Sequence, residues 1–499
     1  MRFTAFMLYG FLTQLGLRPD YARSGNTGVS RALKDKLLIV GLSILMTSCS
    51  SVYKPQNEPS SPHPKAGYHL NTYSHQHNFG DTLLILSFSG GGTRAAALSY
   101  GVLQELRETY LPSKMTRRRL LDEIDMISSV SGGSFTAAYY GLYGEDIFET
   151  YEKAFLRQSI QSALIRQLLT PTYWWRSLFT AFDRTEMAIE YYDTFIFNGA
   201  TFGDIPLERR PYILINATDL SAGNRFSFTQ DVFDLFCSDL DKLPIARAVT
   251  ASSAVPVAFP PVVMKNFAGQ CDPSLSMINR PPSGDDRLQD LRLEEQRQSY
   301  LGYLKKERRP YIHLVDGGIS DNLGLRTVRE SFGYISQDKS VRRELSKVER
   351  VVIILVNAEV RPSTPMDLSS NKPGIAETVD AVSNTQIRHY NLETKLLLSN
   401  YGQKFMEKEG KKFYFIDVNF ESFKNDSFKR FFNNLPTSLE LKDSEVDSLI
   451  EGGRTLLRNS PEFKALLEEL HIKQMPRSLR LESTLSPFEE GATPETLVD

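Results

Sequence analysis

Three short apolar runs in this chain each end in a glycine-rich joint, and two of the joints open directly into helix-forming sequence. Thr82–Phe88 is dense in Leu and Ile and gives way to Ser89-Gly90-Gly91-Gly92-Thr93-Arg94, after which residues 95–111 carry apolar side chains at helical spacing. Ile124–Val130 runs into Ser131-Gly132-Gly133-Ser134 and a small-residue helical stretch at 135–143. Tyr311–Val315 ends on Asp316-Gly317-Gly318. Buried strands feeding helices through tight joints read as an α/β protein, whose strand carboxyl ends carry the chemistry. With 41% hydrophobic and 24% charged residues, the chain has the composition of a folded protein, neither a disordered polymer nor a polytopic membrane protein. A net charge of -2 offers no global attraction to nucleic acid.

The joints differ in what they can do. Glycines between a strand and a helix start let backbone N–H groups approach an anion. Gly90-Gly91-Gly92 lacks the Lys-Ser/Thr ending of a phosphate loop and the spacing of a dinucleotide fingerprint. Ser129-Val130-Ser131-Gly132-Gly133 has the form of a nucleophile elbow, a sharp strand-to-helix turn that holds a serine clear of the backbone, with Ser129 in place of the usual first glycine. An ordinary turn is the competing reading of that segment, and a turn-capping aspartate the competing reading of Asp316. A triad would need a histidine. Outside the amino-terminal region only His313, His389 and His471 remain, and strand alternation turns His313 away from Asp316 while the other two lie in charged helical stretches. If Ser131 is a nucleophile, its base is Asp316.

Gly-Gly-Gly-x-Arg after a first strand, an elbow serine and a distant Asp-Gly-Gly together resemble the patatin-like phospholipases, lipid acyl hydrolases with a Ser-Asp dyad. The stretch from Ala246-Arg247-Ala248 through Ala254-Val255-Pro256 to Phe259-Pro260-Pro261 is similar to that family's segment between nucleophile and aspartate, and Asn216-Ala217-Thr218-Asp219 to its central part. The resemblance covers about half of the chain. It implies a three-layer fold with a central mostly parallel sheet flanked by helices, and adds a helical C-terminal region. Carried over residue by residue, it makes Ser131 the nucleophile, Asp316 the general base, Gly90, Gly91, Gly92 and Arg94 the oxyanion motif, and Gly132 and Gly133 the support of the elbow. It implies an acyl-serine intermediate, membrane lipid as substrate and no metal or organic cofactor; no calcium-loop pattern is present either. The rival outcomes are an acyltransferase using the same acyl-serine and a catalytically silent lipid-binding lipoprotein.

The amino terminus reads as an address. Residues 37–46 form an apolar or small run preceded by Arg31, Lys34 and Lys36 and followed by Thr47-Ser48-Cys49, which resembles the lipobox of bacterial lipoproteins despite Met46 at the usual Leu position. That resemblance implies lipidation of Cys49, cleavage before it, and a lipid-anchored place in the bacterial cell envelope. The run begins late for such a signal, so translation starting near Val29 and a real extension are both open. The expected organisation is an extension and signal over 1–48, a Ser/Pro-rich tether over 49–80, a catalytic domain over 81–330, a C-terminal strand and helical region over 331–475 and a loose tail over 476–499. His63, His69, His75 and His77 read as solvated tether residues, metal binding being the minor reading.

Four segments leave alternatives open. Tyr173, Trp174, Trp175, Phe179 and Phe182 suit a lipid-facing lid or acyl pocket as well as a buried helix. Residues 285–309 read as a solvated charged helix that could instead touch anionic headgroups. Beyond a buried strand at 351–356 the chain turns helical, over 376–399 and 444–470. Cys237 and Cys271 either pair, in an oxidising compartment, or remain two buried thiols.

Overall fold

The computed structural model describes residues 55–60, 67–77, 79–112, 118–273, 275, 277–279, 287–335, 339–361 and 370–474. Ten strands occur among them: β1 (Glu58–Pro59), β2 (Thr82–Phe88), β3 (Ile124–Val130), β4 (Tyr212–Asp219), β5 (Asn224–Ser227), β6 (Ser238–Asp239), β7 (Val262–Lys265), β8 (Tyr311–Val315), β9 (Arg350–Asn357) and β10 (Lys412–Asn419). The main sheet runs β10-β9-β2-β3-β4-β8-β7, with β5 paired to β4. The pairs from β10 to β4 are parallel; β5, β7 and β8 enter antiparallel. Strands β3, β4 and β9 are buried along their whole length, which is why their sequences read as apolar runs without alternation.

Helices cover the sheet. The ones that matter here are α1 (Leu70–Gln76), α2 (Gly92–Arg107), α3 (Gly132–Tyr143), α4 (Ile160–Leu168), α5 (Pro171–Phe179), α6 (Arg184–Phe195), α7 (Ile245–Ser252), α8 (Arg287–Tyr303), α9 (Gly318–Asp321), α10 (Ile375–Glu409), α11 (Asp443–Asn459) and α12 (Pro461–Glu469). α2 and α3 follow the two glycine joints and are buried on nearly every side. α11 packs so closely on α2 that a Cβ at Gly101 would overlap the Ile450 carbonyl and one at Gly453 the Leu98 carbonyl, and its Arg458 sits 2.7 Å from the fully buried Glu105. The expected helix over 444–470 is thus two, broken at Ser460-Pro461, where proline opens α12 and the Ser460 hydroxyl caps it.

The sheet is wider than the sequence pattern suggested. β10 falls inside a region read as helical, yet Lys412–Asn419 extends the sheet beyond β9 by eight parallel pairs, burying Ile416 and Val418. An edge strand with a half-exposed face carries a weak apolar signal, and here long helical patterns flank it.

The tether expected to reach residue 80 ends earlier. β1 pairs with β6, and buried Asn57 donates to the Ser238 hydroxyl and the Lys265 carbonyl, each at 2.9 Å. Tyr68 stacks on Tyr212 at 4.4 Å and its hydroxyl accepts the Ile213 N–H at 2.7 Å, while the Tyr73 hydroxyl donates to the Asp125 carbonyl at 2.9 Å. Two buried tyrosines fasten a segment whose average composition is polar. His69 lies in the same strap with its Nδ1 3.2 Å from Asp231, and His77 bonds the Tyr73 and Glu208 carbonyls, so neither is a solvated linker residue. His63, Cys49, the signal over 1–48 and the tail over 476–499 lie outside the described residues.

The remaining alternatives resolve as follows. Cys237 and Cys271 form a disulfide, with a Cα separation of 5.5 Å. α5 is not a buried helix: Trp174 and Trp175 are 52% and 67% exposed, while Tyr173 and Phe182 turn inward. α8 is anchored as well as charged, since Tyr300 and Tyr303 are buried and the Tyr303 hydroxyl donates to Asp219 at 2.8 Å. No helix of the described residues is long and apolar enough to cross a membrane.

Candidate active site

The two glycine joints meet because β2 and β3 are parallel neighbours ending at the same level, Phe88 opposite Ser129. β3 then delivers Ser131 in a backbone conformation of φ 50° and ψ -123°, one that a side-chain-bearing residue adopts only under strain. The next residue must be glycine. A Cβ at Gly132 would overlap the Gly92 carbonyl, so any side chain there would push the elbow off the glycine joint. Asp316 arrives from the other direction. β8 runs antiparallel to β4 and overlaps it by only two pairs, Thr218 with Val315 and Asp219 with Leu314, so Asp316 leaves β8 at the carboxyl end of β4. Gly317 is required there for the same steric reason, because a Cβ would overlap the Asn216 carbonyl.

The Ser131 hydroxyl donates to Asp316 Oδ2 at 2.9 Å. The other carboxylate oxygen accepts the Gly318 N–H at 2.7 Å, which fixes the plane of the carboxylate. Burial pushes the Asp316 carboxyl up to about 6, against the opposing pull of the Gly318 N–H and the Ser131 hydroxyl. Such a carboxylate is still mostly ionised at neutral pH yet accepts a proton far more readily than an ordinary aspartate. Both residues are less than a tenth exposed. Among the described residues no imidazole bonds either of them.

Around this pair the donors divide. The Gly90 N–H is already given to the Asn322 carbonyl at 3.1 Å, so Gly90 shapes the joint and does not present a free donor, contrary to the expectation for it. Arg94 departs from its expected role too. Its guanidinium is buried and donates to the Ala358 carbonyl at 3.0 Å, the Leu435 carbonyl at 2.7 Å and the Thr437 hydroxyl at 2.9 Å, bracing two C-terminal loops. Gly91 and Gly92 stand at the N-terminus of α2 and Gly132 at that of α3, where helix geometry supplies no intrahelical acceptor for their N–H groups. Gly132 adjoins Ser131 and abuts Gly92, so the two glycine joints meet beside the serine.

Two supports went unassigned in the sequence. Ser252, at the end of α7, accepts the Ser131 N–H at 2.8 Å, lies 2.9 Å from the Ser134 hydroxyl and donates to the Asn216 carbonyl at 2.6 Å, tying the elbow to β4. Asn216 in turn donates to the Ser128 hydroxyl at 3.0 Å and accepts from Ser227 and Thr327, both at 2.7 Å. The density of small hydroxyl residues in Thr250-Ala251-Ser252-Ser253 was the signal that could have marked this hub. Asp316 is joined to the same segment through its N–H, which the Ala254 carbonyl accepts at 3.0 Å.

A cavity of about 300 Å³ has Ile319, Ser320, Arg326 and Tyr390 in its wall, and one of about 270 Å³ behind β4 is lined by Leu70, Leu214 and Val232; neither Ser131 nor Asp316 lines them. Close in sequence to the pair's neighbours, Val255, Val257 and Ile319 are all exposed. Among the described residues no cluster of His, Cys, Asp or Glu is arranged to hold a metal ion.

A family model described as patatin-like phospholipase matches residues 86–329. Among solved structures the human GIVD cytosolic phospholipase A2 is similar at 12% identity and a TM-score of 0.30, over 59% of this chain and 52% of that one. The matched part spans about half the length of that chain. No curated protein matches. From β2 through Ser131 to Asp316 and the helix beyond, residues 86–329 form a patatin-like phospholipase domain, of a family of lipid ester hydrolases.

Proposed function

We propose that the protein is a serine lipid acyl hydrolase working through Ser131 and Asp316, on phospholipid or a related lipid ester. The observation that carries the reading is the 2.9 Å bond from Ser131 Oγ to Asp316 Oδ2 at a strained elbow packed against the Gly90-Gly91-Gly92 joint. Ser131 Oγ attacks the ester carbonyl carbon while its proton passes to Asp316. The carbonyl oxygen takes the negative charge and is met by the N–H groups of Gly91, Gly92 and Gly132, each such donor worth about 3 kcal/mol to the transition state. The bond to the alcohol oxygen then breaks, Asp316 returns the proton to that oxygen, and acyl-Ser131 remains. Water then attacks the acyl carbon, giving a proton to Asp316; the bond to Ser131 Oγ breaks, Asp316 returns the proton to that oxygen, and the fatty acid leaves.

A covalent fluorophosphonate probe tests the nucleophile: wild type is labelled and Ser131→Ala is not. Equal labelling of both would sink the assignment. Product analysis on a mixed lipid panel, wild type beside Asp316→Asn, identifies the substrate. Free fatty acid marks a hydrolase, an acylated alcohol an acyltransferase, and neither product from any lipid refutes the enzymatic reading.

The protein is further proposed to be anchored in a bacterial envelope by lipid on Cys49. The basic residues, apolar run and small-residue ending before Cys49 support this, as does the pairing of the two other cysteines, which suits an oxidising compartment. Metabolic labelling with a fatty acid should mark wild type and spare Cys49→Ser.

A further inference from the structure

Two serines interrupt the apolar strands that deliver the site, and their hydroxyls reach the same turn. Ser87 of β2 and Ser128 of β3 are directly paired in the parallel register, so they stand side by side on one face of the sheet, and both are completely buried. A hydroxyl among Leu, Ile and Val is unfavourable unless it is hydrogen-bonded. The Ser87 hydroxyl donates to the Leu323 carbonyl and the Ser128 hydroxyl to the Gly324 carbonyl, the latter at 2.7 Å. One residue earlier, the Asn322 carbonyl takes the Gly90 N–H at 3.1 Å. Three consecutive carbonyls thus accept from β2, β3 and the glycine joint. Gly324 lies at φ 67°, and a Cβ there would stand 2.8 Å from the Ser128 hydroxyl oxygen and 3.1 Å from that of Ser87, so glycine lets the turn come this close.

That turn ends the segment that carries Asp316. The chain passes from Asp316 through Gly317 and the four residues of α9 to Asn322, whose side-chain oxygen lies 2.5 Å from where a Gly90 Cβ would stand and 3.0 Å from where a Gly318 Cβ would. Gly318 is the residue whose N–H fixes the Asp316 carboxylate. Other bonds tie Asp316 to β4 and α7: the Thr218 hydroxyl donates to its carbonyl at 2.8 Å, Ala254 accepts its N–H, and the Gly317 N–H goes to the Ser252 carbonyl at 3.0 Å. Those bonds set Asp316 against β4. Its distance to Ser131 depends also on β2 and β3, which deliver the glycine joint and the serine, and the bonds from Ser87, Ser128 and Gly90 join the turn to those two strands.

We propose that Ser87 and Ser128 are positioning residues of the reaction: they hold the turn at Asn322, Leu323 and Gly324 to β2 and β3, and so keep the Asp316 carboxylate at hydrogen-bonding distance from Ser131 Oγ. This role rests on the reading of Ser131 and Asp316 as the reacting pair. The test is the full chain carrying both Ser87→Ala and Ser128→Ala, with Tyr73→Phe as comparator, since that change also removes a buried hydroxyl-to-carbonyl bond, but at the strap. Two quantities are read well below each variant's melting temperature: the rate at which a fluorophosphonate labels Ser131, and kcat and KM on a p-nitrophenyl ester of a fatty acid. Labelling should slow about ten- to a hundredfold, the cost of a small misplacement of reacting groups, with kcat lowered in proportion and KM little changed. Tyr73→Phe should label at the wild-type rate. A folded double variant slowed no more than Tyr73→Phe overturns the proposal. Single substitutions, read in the same way, carry the test should the double variant fail to fold. A wild type that takes no label removes the nucleophile and this role together. Slow labelling of the double variant, beside a wild type that labels fast yet hydrolyses no ester, would leave the positioning role standing and remove only the hydrolase reading.

Discussion

Replacing Asp316 with Asn should abolish turnover and at the same time stabilise the fold at neutral and alkaline pH. The reason lies in where the charge sits. Asp316 is held in a buried site that raises its carboxyl from 3.8 to about 6, so the folded protein binds that proton more tightly than the unfolded chain does. Below the unfolded value both states are protonated and the group is neutral in its effect. As pH rises from 3.8 through about 6 the unfolded state ionises first, and folding loses stability that it does not regain at higher pH. The difference of about two pKa units corresponds to about 3 kcal/mol, at 1.36 kcal/mol per unit. Asn keeps an oxygen for the Gly318 N–H and carries no charge, so most of that cost disappears. Denaturant unfolding of wild type and variant, at about pH 8 and again at about pH 4, should show the variant more stable at the higher pH by on the order of 2 to 3 kcal/mol, with the gap closing at the lower. A variant equally stable or less stable at pH 8, or a gap independent of pH, would refute the argument that burial sets the Asp316 carboxyl.

Other outcomes follow from the same geometry. The rate at low substrate should fall on the acid side with a midpoint near 6, as Asp316 takes up the proton it must be free to accept, and a pH-rate profile reads it directly. Ser252→Ala leaves the Ser131 N–H without its acceptor and should cost about 1 to 3 kcal/mol of stability and lower kcat more than it changes KM, by calorimetry and steady-state kinetics. Gly132→Ala should remove activity while the protein still folds, as judged by circular dichroism, because the new methyl displaces the elbow from the glycine joint. Replacing Cys237 and Cys271 together by Ser should lower unfolding free energy by about 3 to 4 kcal/mol, the closure entropy of a loop with a sequence separation of 34.

What the sequence revealed tracks how locally each feature is encoded. Strands β2, β3 and β8 and the placement of Ser131 and Asp316 were legible because short buried runs and glycine joints are written in contiguous residues, and because the search for a histidine ended without one. The surroundings of the glycine joint were legible only in part. That Gly90 is occupied and Arg94 is turned to the C-terminal loops depends on Asn322, Ala358 and Leu435, all remote in sequence. Strand β10 was hidden because an edge strand needs only two buried side chains, Ile416 and Val418, to dock. The strap over 67–79 was hidden for a related reason: two tyrosines, finding partners on β4 and at Asp125, outweigh the polar residues around them.

The strap also sets a length. If lipid holds Cys49 at a membrane, at most eight residues separate the anchor from Asn57, which is bonded to Ser238 and Lys265. Eight residues fully extended reach at most about 28 Å. A body of roughly 400 residues has a radius of gyration of about 21 Å, so its diameter is near twice that leash. Such a protein can roll against its leaflet but cannot swing clear of it or visit another membrane. Every encounter between Ser131 and lipid would then be an encounter with the membrane that holds the anchor, at an effective concentration fixed by those eight residues.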